Sequence, residues 1–223
     1  MGSTERIRIA IDGPAGAGKS TIAKRLAKEL GIDYIDTGAM YRAIALKLIR
    51  MDVDYRDAKA LAQLLSKTDV DFRDGHVLLD CEIVDADIRT PAVSQLASDS
   101  SKVLAIREKL VALQRSMGSK KSLVMDGRDI GTNVLTDAEF KFYLTASSGV
   151  RAARRALEMQ EKGELPDLRA VEADIIARDL QDSTREHNPL SKAVDAVEID
   201  SSSMGIQDVV DVILGYIRPG FIS

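Results

Sequence analysis

The sequence holds little from which covalent cross-links or a metal centre could be made. A single cysteine, Cys81, excludes an internal disulfide and points to a reducing, cytoplasmic setting. Two histidines, His76 and His187, stand far apart and form no cluster with metal-ligand spacing. No apolar stretch approaches the roughly 20 residues that a membrane-spanning helix needs. Met1 to Glu5 carries no apolar stretch of the kind found in secretory signals. A strong excess of one charge is also missing: 31 Lys and Arg stand against 35 Asp and Glu, a net charge of −4. That balance argues against a general nucleic-acid or membrane surface, so basic residues with a function must be locally clustered. Repeats and low-complexity tracts are absent, and no extended apolar stripe is left unassigned, so a monomer is expected.

What is present alternates. Ile7 to Ile11, Leu123 to Met125, Phe140 to Leu144 and Ala196 to Ile199 are apolar runs bounded by turn signals, which reads as buried strands. Helical spacing lies between them, at Thr21 to Leu30 with Gly31 just past its end, Ala39 to Ile49, Val103 to Met117 and Ile206 to Ile217. Strand and helix in alternation predict an α/β fold, a parallel sheet with helices on both faces. At 223 residues one compact unit with an insert is expected. The insert is Val70 to Ile88, whose short alternating runs around Asp74-Gly75 predict a small antiparallel sheet. Arg151 to His187 is strongly charged, with Lys162-Gly163-Glu164-Leu165-Pro166 as a break between two helices, a composition suited to a mobile lid.

The strongest motif is Gly13-Pro14-Ala15-Gly16-Ala17-Gly18-Lys19-Ser20, a full match to the phosphate-binding pattern G-x-x-x-x-G-K-[ST] in its required place between a strand and a helix. Glycines let the backbone turn tightly with its N–H groups inward, where they donate to phosphate oxygens beside the positive helix end. Lys19 would reach the β and γ phosphates of ATP, and the Ser20 hydroxyl would ligate Mg²⁺. A plain turn has no use for three glycines, a lysine and a hydroxyl at these offsets.

The acceptor side is less explicit. Tyr34-Ile35-Asp36-Thr37-Gly38-Ala39-Met40-Tyr41-Arg42 reads as a strand end and a helix start, with Asp36 or Thr37 able to cap it. Arg42 beside that helix start suits an anionic group, although a solvated surface arginine would read the same. Leu123 to Met125 runs into Asp126-Gly127-Arg128-Asp129-Ile130-Gly131-Thr132, at the carboxyl end of a strand, where open parallel sheets bind ligands. Asp126 is placed to hold Mg²⁺ through water, and Arg128 and Asp129 could face the acceptor; a polar capping loop is the alternative. In the charged segment Arg151, Arg154 and Arg155 share one helix face, as do Arg178, Asp182 and Arg185. Such sets would neutralise a phosphoryl group in flight, or could be a solvated face laced with ion pairs such as Arg178 with Asp182.

At these residues the sequence resembles bacterial cytidylate kinases, of the nucleoside monophosphate kinase group. The resemblance runs through Gly13 to Thr21, Asp36 to Arg42, Ala97-Ser98, Asp126 to Thr132 and Arg178-Asp179 to Arg185. It implies a P-loop NTPase fold of three layers with a five-stranded parallel sheet. It also implies a nucleoside-monophosphate-binding region at about 37–110, with its β insert at about 70–88, and a helical lid at about 151–187. It further implies transfer of the γ-phosphate of ATP to CMP or dCMP. Ser98, Arg107 and Asp129 would contact cytosine, and Arg42 and Arg128 the acceptor phosphate. Asp182 and Arg178 would face the sugar and phosphate, and Arg185 the phosphates. Where many family members have Gly-Thr after the lysine, this chain has Ser20-Thr21, and both forms keep a hydroxyl near the metal. A carboxylate at Asp129 with the Ser98 hydroxyl would favour cytosine, whose exocyclic amine donates where uracil has a carbonyl.

The expected chemistry needs no general base, because a phosphate monoester with a second pKa of about 6 is already mostly ionised at neutral pH. Lys19, Mg²⁺, Arg128, Arg154, Arg178 and Arg185 would align two repelling anions and spread the charge of an in-line transition state. A GTPase switch would require an Asn-Lys-x-Asp run, and none occurs. A kinase for a hydroxyl acceptor would require a carboxylate base, for which Asp36 or Asp126 could serve.

Overall fold

The computed structural model describes residues 6–73, 75–161 and 163–217. Met1 to Glu5, Asp74 of the expected Asp74-Gly75 turn, Lys162 of the expected break and residues 218–223 lie outside the described residues. In chain order the elements are β1 (Arg8–Asp12), α1 (Lys19–Leu30), β2 (Asp33–Asp36), α2 (Thr37–Arg50), α3 (Ala58–Ser66), β3 (Val70–Arg73), β4 (His76–Leu79), β5 (Glu82–Ile83), α4 (Pro91–Ser100), α5 (Leu104–Lys120), β6 (Leu123–Gly127), β7 (Phe140–Thr145), α6 (Ser148–Glu161), α7 (Leu168–Thr184), β8 (Val197–Asp200) and α8 (Ile206–Ile217). The chain divides into two compact units, one of Met1–Tyr34 with Ser122–Ser223 and one of Ile35–Lys121.

The main sheet is parallel, with strand order β2-β6-β1-β7-β8. Central β1 pairs with β6 in the register Ile11↔Asp126 and Asp12↔Gly127, and with β7 in the register Asp12↔Tyr143. The carboxyl ends of β1 and β6 are therefore side by side, and the loops that follow them leave the same edge of the sheet. Ile9, Ile11, Val124, Phe142 and Leu144 of the strands pack with Ile22 and Leu26 of α1 and with Val210, Ile213 and Leu214 of α8. Each such side chain contributes about 1.5–3 kcal/mol on burial, which holds the edge rigid beneath the loops.

Two bounds differ from the sequence expectation in ways that matter. Strand β1 runs on to Asp12 rather than stopping at Ile11, because the Asp12 carboxylate finds backbone donors inside the protein. Helix α1 begins at Lys19 rather than Thr21, so the lysine and serine of the motif stand in its first turn.

In the second unit α2 packs on α4 and on β4. The expected insert is there as the antiparallel sheet β3-β4-β5, pairing Val70↔Leu79 and Phe72↔Val77. Its second turn, Asp80-Cys81, has φ of 50° and 69°, the left-handed pair that a two-residue hairpin requires. Helices α3 and α4 were not apparent in the periodicity, but both carry readable starts. Asp57 accepts from Lys59 and Ala60 N–H, and Thr90 accepts from Val93 N–H with Pro91 in the first turn.

Candidate active site

The loop Gly13 to Ser20 leaves β1 and enters α1. At Gly13, φ is +146°, and a Cβ would lie 2.0 Å from the Leu144 carbonyl oxygen, so no side chain fits between this loop and β7. Gly18 caps α1 in a left-handed conformation, and no side chain caps that helix end. The first-turn N–H groups thus keep their attraction for an anion. Lys19 is buried in that turn, and its Nζ donates to the Pro14 carbonyl at 2.7 Å. Burial pushes its pKa down to about 7, the nearby Arg128 cation adds to this, and Asp126, Asp12 and Asp182 oppose it.

Asp126, near the end of β6, accepts from Ser20 Oγ at 2.9 Å on one oxygen and from Tyr34 OH at 2.8 Å on the other. The structure thus brings together the two residues expected to hold Mg²⁺. A hydroxyl and one carboxylate are hard oxygen donors of the sort Mg²⁺ takes alongside phosphate oxygens and water. Among the described residues no group of three or more His, Cys, Asp or Glu could hold a metal ion, so an all-protein cage is not formed there.

Asp12 was missed by the sequence reading. It is buried beside the donor loop, and its two oxygens accept from Ile130 N–H at 2.8 Å and Gly131 N–H at 2.7 Å. Burial raises its pKa to about 6, against the pull of those two amides. The available signal was an acid directly after the apolar run Ile9 to Ile11, and an acid carried into the interior at a strand end is seldom left without a purpose. Its bonds tie the end of β1 to the π-helical turn Ile130–Val134, and so fix the segment that carries Arg128 and Asp129.

That segment meets the end of α7. Arg128 Nε donates to Asp182 Oδ2 at 2.7 Å, and Arg185 Nη2 donates to Asp129 Oδ1 at 2.8 Å. Asn133 Nδ2 donates to the other Asp129 oxygen at 3.0 Å. Burial acts to raise the Asp182 pKa, but Arg128, Arg178 and Arg185 outweigh it and hold the carboxyl below its usual range. Arg128 is raised in turn, because Asp182 overcomes the effect of burial. Four of the residues singled out in sequence, Arg128, Asp129, Asp182 and Arg185, thus form two adjacent charge pairs. Arg178 stands one turn before Asp182 on α7 and adds its field to it.

The first arginine set does not act together here. Arg151 is buried and bonded to Asp179, Ala146 and Ala15. Arg154 donates through Nη1 to Ser201 Oγ at 3.1 Å and through Nη2 to the Ser201 carbonyl at 2.6 Å. Arg155 is exposed and bonds Glu158. Sharing a helix face put three guanidinium groups within reach of three different partners.

In the second unit Asp36, not Thr37, caps α2, accepting from Ala39 N–H at 2.9 Å. Its other oxygen accepts from Arg42 Nη2 at 3.0 Å, so the arginine is held at the helix start. Thr37 is buried as the first residue of α2. Arg107 is buried on α5, with its guanidinium 5.8 Å from the centre of the Tyr41 ring. Arg107 Nη1 donates to the Ser101 carbonyl at 3.3 Å, and Ser101 Oγ donates to the Ser98 carbonyl at 2.8 Å. A short chain of bonds therefore links Ser98 and Arg107.

The family model described as Cytidylate kinase matches residues 9–219. The cytidylate kinase of Clostridium acetobutylicum is 51% identical over 212 residues, covering 95% of this chain and 98% of its own length. The cytidylate kinase of Pelotomaculum thermopropionicum is 51% identical over 217 residues, covering 95% of this chain and 96% of its own. Among solved structures, a shikimate kinase from Acinetobacter baumannii aligns with a TM-score of 0.50 at 16% identity, covering 98% of this chain and 96% of that one. At that identity the likeness speaks for the fold alone.

Proposed function

The chain belongs to the cytidylate kinase family, and from that premise we propose that it transfers the γ-phosphate of ATP to CMP or dCMP, giving ADP and CDP or dCDP. The observation that carries the phosphoryl chemistry is the set of Lys19 and Ser20 in the first turn of α1, with the Ser20 hydroxyl on Asp126. Ser20 and Asp126 would hold Mg²⁺, which supplies charge neutralisation at the phosphates when bound.

CMP brings an oxygen already ionised near neutral pH, so no residue has to remove a proton. Lys19, Arg128, Arg154, Arg178 and Arg185 act by charge, neutralising the donor and acceptor oxygens that would otherwise repel. Asp36, Thr37, Arg42, Ser98, Arg107, Arg128, Asp129, Arg178, Asp182 and Arg185 are the acceptor-binding set in this reading, with Ser98, Arg107 and Asp129 on the cytosine ring and Arg42 and Arg128 on the acceptor phosphate. Residues 37–110 form the monophosphate-binding region, and 151–187 the lid that excludes water during transfer. The enzyme works as a cytoplasmic monomer in this reading, and the lone exposed thiol at Cys81 suits a reducing compartment. Among the described residues no helix is long and apolar enough to cross a membrane.

Comparing kcat/KM for CMP and UMP in the wild type and in Asp129→Ala tests the acceptor assignment. Discrimination should shrink by about tenfold or more when the carboxylate that pairs with the exocyclic amine is removed. An unchanged CMP preference would take Asp129 out of the pocket.

A further inference from the structure

Two residues outside the substrate-binding and metal-holding sets grip the donor loop from α6 and α7. Ala15, the third residue of the loop, has both peptide groups occupied by side chains. Its N–H donates to Asp179 Oδ1 at 3.2 Å, and its carbonyl accepts from Arg151 Nη1 at 2.9 Å. The same Nη1 donates to Asp179 Oδ2 at 2.5 Å, which closes a ring of three hydrogen bonds. Arg151 Nε donates to the Ala146 carbonyl at 2.8 Å, just past the end of β7. One buried guanidinium therefore spans the exit of the sheet, the donor loop and α7. A point-charge ammonium could not make those bonds together, because only the planar fork presents its donors at fixed angles. The packing is tight as well: a Cβ on Gly16, where φ is +74°, would lie 3.2 Å from Arg151 Cβ.

The amides of such a loop are what a nucleotide's phosphates bind, so their orientation decides donor affinity. The Ala15 amide is turned instead to a protein carboxylate while its carbonyl is held by Arg151, and together these bonds set the two peptide planes on either side of Ala15, including the one that leads into Gly16. We infer that Arg151 and Asp179 are positioning residues for ATP: acting through Ala15, they hold the donor loop in its binding shape before the nucleotide arrives. The inference rests on the reading of Gly13 to Ser20 as the ATP cradle and names what forms it. Pre-organisation of this kind strengthens binding by removing the cost of ordering the loop on association. A brace that merely joined α6 to α7 would affect both substrates alike.

The test uses the full chain with Asp179→Asn and Arg151→Lys. KM for ATP is measured at saturating CMP, KM for CMP at saturating ATP, and ATP affinity by displacement of a fluorescent ATP analogue. Loss of one charge-assisted bond should raise the ATP KM and Kd about tenfold in each variant, with the CMP KM changed by less than about twofold. Because the two side chains act as a unit, the double variant should be little worse than the weaker single one. ATP affinity within about twofold of wild type, or both KM values rising in step, would overturn the inference. If Asp179→Asn fails to give a cooperative thermal melt, Arg151→Lys is read alone by the same criterion. A wild type that turns over no CMP would refute the acceptor reading, while ATP displacement would still decide this one.

Discussion

Above neutral pH, binding of ATP should take up a proton, and Lys19 sets how much. Burial and the nearby Arg128 hold its ammonium down to about 7, while triphosphate oxygens beside it would restore the charged form. A group with that pKa is roughly one-tenth charged at pH 8, so saturation with ATP should bind roughly 0.9 proton per site, against roughly 0.5 at pH 7. Titration calorimetry in buffers of different ionisation enthalpy measures this directly as the slope of observed heat against buffer enthalpy. The Lys19→Met variant should show almost no slope at pH 8, since it has no group left to charge. An uptake below about 0.2 proton at pH 8 in the wild type would mean that Lys19 is charged before ATP binds, and would refute the reasoning. The same shift bears on stability. Lys19 in the fold titrates below its ordinary 10.5, so the unfolded chain binds more protons between about 7 and 10.5. Its burial cost is therefore full below pH 7 and fades as pH rises toward 10.5.

Three further outcomes follow from the same geometry. Ser20→Ala removes the hydroxyl on Asp126 and should raise the Mg²⁺ concentration for half-maximal rate by about tenfold while leaving the melting temperature within a few degrees; an unchanged Mg²⁺ requirement would remove Ser20 from the metal set. Asp36→Ala loses the cap of α2 and the partner of Arg42, and urea unfolding should report a loss of about 1–2 kcal/mol; a loss under about 0.3 kcal/mol would show that the cap carries nothing. Asp12 titrates in the fold at about 6 rather than 3.8, so its ionisation costs the fold roughly 3 kcal/mol at neutral pH, a cost that disappears as pH falls toward 4. The stability of wild type relative to Asp12→Asn should therefore improve between pH 7.5 and pH 4.5, and a pH-independent difference would contradict the assignment.

Much of the fold and the donor site is legible in the sequence because local rules and tertiary packing agree there. The apolar runs at Ile7 and Leu123 became adjacent parallel strands, and the motif at Gly13 to Ser20 took the place its pattern demands. Asp36 capping α2, and Ser20 meeting Asp126, were also within reach, since each follows from the end of one element and the start of another. The clamp on Ala15 was not. Arg151 and Asp179 lie on different helices of a charged stretch, and nothing in their spacing says that they pair with each other rather than with solvent. Helical periodicity reports only which side chains share a face. It placed Arg151, Arg154 and Arg155 together; tertiary packing then took Arg151 to Asp179 and Arg154 to Ser201, while Arg155 kept a partner on its own helix, Glu158. Asp12 escaped for a related reason: a charged residue inside a strand end is tolerated only when distant backbone supplies its donors, here Ile130 and Gly131.

The central claim is phosphoryl transfer to a cytidine monophosphate, and the most direct measurement is ADP release at fixed ATP and Mg²⁺ with CMP, dCMP, UMP, AMP, GMP, shikimate or no acceptor. Fast turnover confined to CMP and dCMP is the expected result. Turnover with shikimate, or equal ADP release with no acceptor at all, would contradict the account and leave only the phosphate cradle standing.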